Sequence, residues 1–189
     1  MGQYYKVIVR RNGKDKVYNR DVDGEYTMAK LMEHSWWHNG FCCAFAKTLL
    51  DKPAKVCWCG DYAEEDECEE LGFNYNKVWG RNKGYGIKST DFTLSSVKYL
   101  INNDKQIYLD LQKYYEHCNK KEEYQGKFYD WCIFPISLLT ALGNDRGGGD
   151  FHEGNEGYSD VGAWAFDEIY ISNKLPEGYK EEEYTFVEE

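Results

Sequence analysis

Apolar and polar positions alternate from Tyr4 to Arg11, the period-two signature of a strand. Asn12-Gly13 follows, the dipeptide favoured in two-residue hairpin turns, so residues 15–20 are read as the return strand. The period changes after Thr27: Met28, Leu31 and Met32 share one helical face, with Thr27 as the cap and Asn39-Gly40 as the break. Residues 41–50 carry a second, more apolar helical pattern that stops ahead of Pro53. Residues 54–60 return to a strand, which puts Cys57 and Cys59 on the same side. The acidic run 63–70 reads as a solvated face. Residues 72–91 are rich in Gly, Asn and aromatics and poor in aliphatics, and read as a long surface loop and mobile flap.

The second half follows the same order of patterns. Residues 97–101 and 105–111 form a hairpin across Asn102-Asn103-Asp104, and 112–126 is helical only in part. A short apolar run, 131–134, leads into a helix at 135–142, with Pro135 in its first turn and Gly143 at the residue just past its end. A strand is expected at 161–172. After it come a Pro-Glu-Gly turn and an edge strand at 184–187. Each half therefore reads hairpin, helix, strand, the first strand ending Trp58-Cys59-Gly60-Asp61 and the second containing Trp164-Ala165-Phe166-Asp167. The expectation is an α+β fold in a single domain, 1–189. Two related halves, 1–71 and 92–175, joined by 72–91, form a mainly antiparallel or mixed sheet with few short helices, and Trp58 and Trp164 are equivalent. A ligand site is expected in the cleft between such halves.

Composition narrows the function classes. The 189 residues include 17 Tyr, 9 Phe and 6 Trp, too aromatic for a disordered chain. Net charge is −10, which repels nucleic acid and anionic membrane and suits a basic groove on a partner protein. No stretch approaches the roughly 20 apolar residues of a membrane span. The first residues run straight into a strand pattern with no signal-peptide core, which implies a cytoplasmic protein. The seven cysteines, Cys42, Cys43, Cys57, Cys59, Cys68, Cys118 and Cys132, are odd in number and form no recognised framework, consistent with reduced thiols.

The stretch that most resembles a binding element is Gly143-Asn144-Asp145-Arg146-Gly147-Gly148-Gly149-Asp150. Three successive glycines are costly to order and suit a backbone on which a ligand lies directly. They follow a helix instead of preceding one, so the nearby helix end is the negative one and this is not a P-loop or a dinucleotide fingerprint. An anionic ligand here relies on Arg146 and a nest of N–H groups. Asp145 and Asp150 can accept from ribose hydroxyls or a base edge, or hold a hard cation with Glu153 and Asp160. Trp164 is the candidate aromatic at the same site. The alternative is a plain turn.

Other constellations carry less. His34, His38 and Cys42 fall at four-residue steps and, with Cys43, have zinc-like chemistry, but Asn39-Gly40 interrupts the face and no second ligand pair follows, so no metal is expected. Cys57-Trp58-Cys59 reads as a core face, with no basic neighbours in sequence to make a redox pair. His152, beside Asp150, is the candidate general base or phosphate ligand; no G-x-S-x-G elbow occurs. No cofactor is implied.

Several fragments together are distinctive: Met1-Gly2-Gln3-Tyr4-Tyr5-Lys6, Lys30-Leu31-Met32-Glu33-His34-Ser35, Gly60-Asp61-Tyr62-Ala63, the glycine stretch 143–150, and Val161-Gly162-Ala163-Trp164. In them the chain resembles an uncharacterised family of bacterial and phage proteins that begin MGQYYK. The resemblance implies a role in host–virus conflict and lends no catalytic residue. Family members carry Asn-His-Thr in the second hairpin and His-Pro before the later helix, where this chain has Asn102-Asn103-Asp104 and Phe134-Pro135. Three readings follow, binding ahead of catalysis. The first is a binder of an anionic, nucleotide-type small molecule, an anti-defence factor that sequesters a signalling nucleotide. The second is an acidic inhibitor that occupies the basic groove of a host nucleic-acid enzyme. The third is a hydrolase using His152 or a cation at the acidic loop. None involves direct nucleic-acid or membrane binding.

Overall fold

The computed structural model describes residues 4–22, 25–27, 29–30, 35–80, 84–88, 90–118, 121–124, 127–130, 132–142 and 160–184. Within them the fold is α+β, an 11-stranded mixed sheet with short helices on both faces and a separate two-stranded sheet. The first hairpin pairs β1 (Tyr4–Arg11) with β2 (Lys14–Val22). Asn12 and Gly13 both have positive φ, 50° and 70°, as a two-residue primed turn requires. β5 (Ala54–Gly60) lies on the other side of β1, antiparallel, from Tyr5↔Gly60 to Arg10↔Lys55. The second hairpin pairs β7 (Tyr99–Asn102) with β8 (Ile107–Asp110), and β12 (Glu168–Ser172) joins β7 to β5. β13 (Lys180–Glu181) runs parallel to β8 at one end of the sheet. β3 (Glu25–Thr27), β4 (Ala29–Lys30) and β6 (Tyr85–Ile87) complete the β1–β2 side. β9 (Lys121–Tyr124) and β10 (Lys127–Asp130) form the small sheet.

Alternation sorts side chains onto two faces. Tyr5, Val7, Val9, Val56 and Trp58 enter the larger core, and Ile8, Cys57 and Cys59 enter the smaller one. The larger core is covered by α1 (Gly40–Thr48) and α5 (Pro135–Leu139), with Phe41, Phe45 and Phe134 ringing Trp58 at 5.7–6.2 Å between centroids. The smaller core lies under α2 (Glu65–Glu70) and α3 (Tyr75–Trp79), which contribute Cys68 and Val78.

β5 gains its second neighbour from three segments in turn. β12 pairs with Ala54 and Lys55. Val56 then donates to the Asp167 carbonyl and accepts from the Phe166 amide. β11 (Ala141–Leu142) takes over in parallel at Trp58 and Cys59. The handover needs a tight turn at 160–166. Gly162 has φ +81°, and a Cβ there would stand 2.7 Å from the Ala141 carbonyl oxygen, so only glycine fits. Phe166, also at positive φ, sends its ring to the smaller core while Trp164 enters the larger one.

Several expectations change here. Residues 25–27 and 29–30 are strands, not the start of a helix capped by Thr27: pairing with β2 and β1 supplies backbone hydrogen bonds that a short isolated helix lacks the length to match. Asn39 begins a helix instead of breaking one, its Oδ1 accepting from the amides of Phe41 and Cys42. The stretch 72–91 is not structureless, since it holds α3, capped by Asn74, and β6. The helix at 135–142 stops at Leu139, because the Thr140 carbonyl is taken by the Trp58 amide and 141–142 joins the sheet. The strand at 161–172 is confined to Glu168–Ser172. Trp58 therefore lies on a strand and Trp164 in a turn, so the two are not equivalent and the two-halves repeat is not shown. Residues 185–187 of the expected edge strand lie outside the described residues.

The tip of the second hairpin fastens β12. Asn102 and Lys105 both donate to Asp167 Oδ2, at 2.8 and 2.6 Å. Asp104 Oδ2 accepts from the Glu168 amide at 2.9 Å and from Lys55 Nζ at 3.3 Å. Desolvation opposes ionisation of Asp104, but these bonds and the nearby lysines outweigh it and hold its carboxyl below the usual range. A lowered folded-state pKa means stability that is present above the unfolded value and lost as pH falls through the folded one. Asp104→Asn is expected to lower the urea midpoint at about pH 6, with the gap to wild type closing by about pH 2. A gap that persists in acid would mean that the carboxylate charge is not what holds the turn.

Candidate binding cleft

Helix α4 (Leu111–Cys118) starts where β8 ends, and Asp110 caps it, its Oδ1 accepting from the amides of Gln112 and Lys113, each at 3.0 Å. The three- and four-residue spacing of Asp110, Lys113, Tyr114 and His117 puts them on one face. β13 brings the chain back alongside. Lys180 donates its amide to the Gln106 carbonyl and Glu182 to that of Tyr108, so residues 181–184 lie opposite that helix face. Between them is a cleft of about 180 Å³ lined by Leu109, Asp110, Lys113, Tyr114, His117 and residues 181–184.

Its walls are fixed from behind. Tyr114 is buried and donates its hydroxyl to the Ile133 carbonyl at 3.0 Å. Tyr184 accepts from the indole N–H of Trp164 at 2.9 Å, the two rings meeting edge to face at 5.5 Å. Burial pushes the Tyr184 phenol up. Glu181 is held at both oxygens, Oε1 by Lys113 Nζ at 2.5 Å and Oε2 by the Tyr108 hydroxyl at 3.3 Å. The hydrogen bond to Glu181 raises the Lys113 pKa, although Lys113 itself is 62% exposed. Four carboxylates, Asp110, Glu181, Glu182 and Glu183, share the lining with one ammonium, a formal charge of −3 from these five groups. Such a cleft attracts cations and repels anions.

No protein-family model, curated protein or solved structure matches this chain.

Asn144, Asp145, Arg146, Gly147, Gly148, Gly149, Asp150 and His152 lie outside the described residues, as do Glu153 and His34. Trp164 is fully buried and acts as the support behind Tyr184. The structure does not gather His38, Cys42 and Cys43 at one point. Cys42 and Cys43 are buried in the first turn of α1, and His38 precedes the cap, near Tyr115. Among the described residues no three His, Cys, Asp or Glu side chains form a metal-binding group. Cys57 and Cys59 do share a face, as alternation requires, and the basic neighbour that the local sequence lacks comes from β1. Lys6 donates to the Val78 carbonyl at 3.1 Å and lies 4.7 Å from the centroid of the Trp79 ring, its pKa lowered by desolvation. A hydrogen bond to Cys68, together with burial, pushes the Cys59 thiol up.

The cleft itself was missed. The helical spacing of Asp110, Lys113, Tyr114 and His117 and the Glu-Glu-Glu-Tyr run at 181–184 were its sequence signals. Tyr184→Phe removes the acceptor of a buried indole N–H, and its expected cost is about 1–3 kcal/mol. Urea unfolding measures it; an unchanged midpoint would mean that the Trp164 N–H is satisfied elsewhere.

Proposed function

We propose that this chain is an acidic binding protein that occupies a basic surface of a partner protein. The observation that carries the reading is the charge of the cleft, −3 in its lining on a chain of net −10. Opposite potentials speed encounter and suppress wrong partners. The size of the cleft supports the same reading. At about 180 Å³ it is smaller than the roughly 300–1,000 Å³ typical of sites for whole small-molecule ligands, and it suits one projecting side chain. The negative lining works against a nucleotide here. The resemblance to bacterial and phage proteins supports a partner in host–virus conflict, and the charge supports one whose own task is to hold nucleic acid.

The second reading, an anionic ligand at Arg146, has a narrower support. Both ends of the segment 143–159 are fixed: Leu142 pairs with Cys59, and Gly162 donates its amide to the Leu138 carbonyl. The support for an anion there is otherwise the sequence itself, Arg146 among glycines.

Native mass spectrometry of the protein purified from the cells that express it separates the two. Neutralising 181–183 by Glu181→Gln, Glu182→Gln and Glu183→Gln together is expected to lose a retained basic protein, weakening it by at least about tenfold, the worth of one charge-assisted bond. Retention of a small anion that survives this change and is lost in Arg146→Ala would instead establish the second reading.

A further inference from the structure

We propose that the cleft receives the guanidinium of an arginine side chain, which takes the place of Lys113 on Glu181; this rests on the partner reading above. The cleft already holds a cation, Lys113 on Glu181 Oε1 at 2.5 Å. That cation is attached from the solvent side. Lys113 is 62% exposed while Glu181 is 30% exposed, so the ammonium can swing into water and leave the carboxylate in place. An exposed ion pair of this kind is weak and salt-screened.

The geometry of Glu181 favours a fork over a point charge. Its two oxygens face two different donors, and the second, the Tyr108 hydroxyl, is 3.3 Å away, longer than a strong O–H···O bond. An ammonium engages one oxygen, whereas a planar guanidinium engages both in parallel. The rest of the cleft suits an arginine. Leu109 and Tyr114, buried but for an edge, close the base of the cleft with apolar atoms against which an aliphatic stem fits. Tyr184, held in orientation by Trp164, offers a ring on which a guanidinium stacks. Once Lys113 leaves, Asp110, Glu182 and Glu183 compensate the incoming charge, and the described lining holds no other lysine or arginine. Lys113 then acts as a placeholder that keeps Glu181 paired in the free protein and sets a threshold for weak cations.

The test uses the full chain and three blocked tripeptides, Gly-Arg-Gly, Gly-Lys-Gly and Gly-citrulline-Gly, titrated by amide chemical shifts in two-dimensional NMR. The arginine peptide is expected to shift the amides of 109–117 and 180–184 saturably. The lysine peptide should bind about tenfold more weakly and the uncharged citrulline peptide not at all, as expected for loss of a charge-assisted bond. Lys113→Ala should tighten the arginine peptide severalfold, and Glu181→Gln should weaken it by at least about tenfold. No saturable binding, equal binding of lysine or citrulline, or an unchanged or weaker affinity in Lys113→Ala would each overturn the proposal. Arginine binding with no basic protein retained in cells would leave this site standing and remove the partner reading. A retained partner released by the 181–183 changes, with no arginine binding, would do the reverse.

Discussion

Strand β5 is buried on both faces and paired along both edges, and the rest of the fold is arranged to supply those four contacts. Val56, Cys57, Trp58 and Cys59 are each 0% exposed. Trp58 lies under the aromatic ring of Phe41, Phe45 and Phe134, and the two cysteines lie under α2 and α3. β1 pairs along one edge, while β12, the turn at 160–166 and β11 share the other. A buried backbone N–H or C=O without a partner costs about 1–3 kcal/mol, so each of these segments must arrive where it does. This explains the sharp turn at Gly162 and the left-handed Phe166. One amide register hands over to another at that point, and Trp164 is driven beneath the surface on which Tyr184 rests.

What the sequence revealed follows the range of the forces involved. The strand at 54–60 and the turn at Asn12-Gly13 were legible because alternation and positive φ are local properties. Pro135 marked a helix start for the same reason. The end of that helix was misread because its last carbonyl is claimed by Trp58, a residue about 80 positions away, which no local signal reports. The segment after Glu25 failed similarly: Met28, Leu31 and Met32 have helical spacing, but 25–27 and 29–30 are drawn into the sheet. Cys57 and Cys59 were placed correctly on one face, yet Lys6, which lies near them, comes from a different strand. The cleft combines both limits. Its helix face has a plain spacing from Asp110 to His117, but the opposing carboxylates come from 181–183, brought there by two backbone bonds to 106 and 108.

The same construction explains how charge is concentrated. A net charge of −10 spread evenly would give weak, screened attraction. Here the short parallel strand at Lys180–Glu181 and the residues after it bring three successive glutamates opposite a helix capped by Asp110. Trp164 contributes without touching solvent, since it fixes the ring that forms one wall. The larger core and the cleft are thus joined through the Trp164 indole as well as through Leu109 and Tyr114.

The cleft is preformed in the chain alone, its acidic wall docked on the sheet through Lys180 and Glu182. Amide hydrogen exchange of the free protein tests this at Lys180 and Glu182, whose N–H groups are given to the Gln106 and Tyr108 carbonyls. Both are expected to be slowed about a hundredfold or more relative to an unstructured peptide, as for other docked strand amides. Exchange at the unstructured rate would show that residues 180–184 do not hold the wall and that the cleft is not preformed.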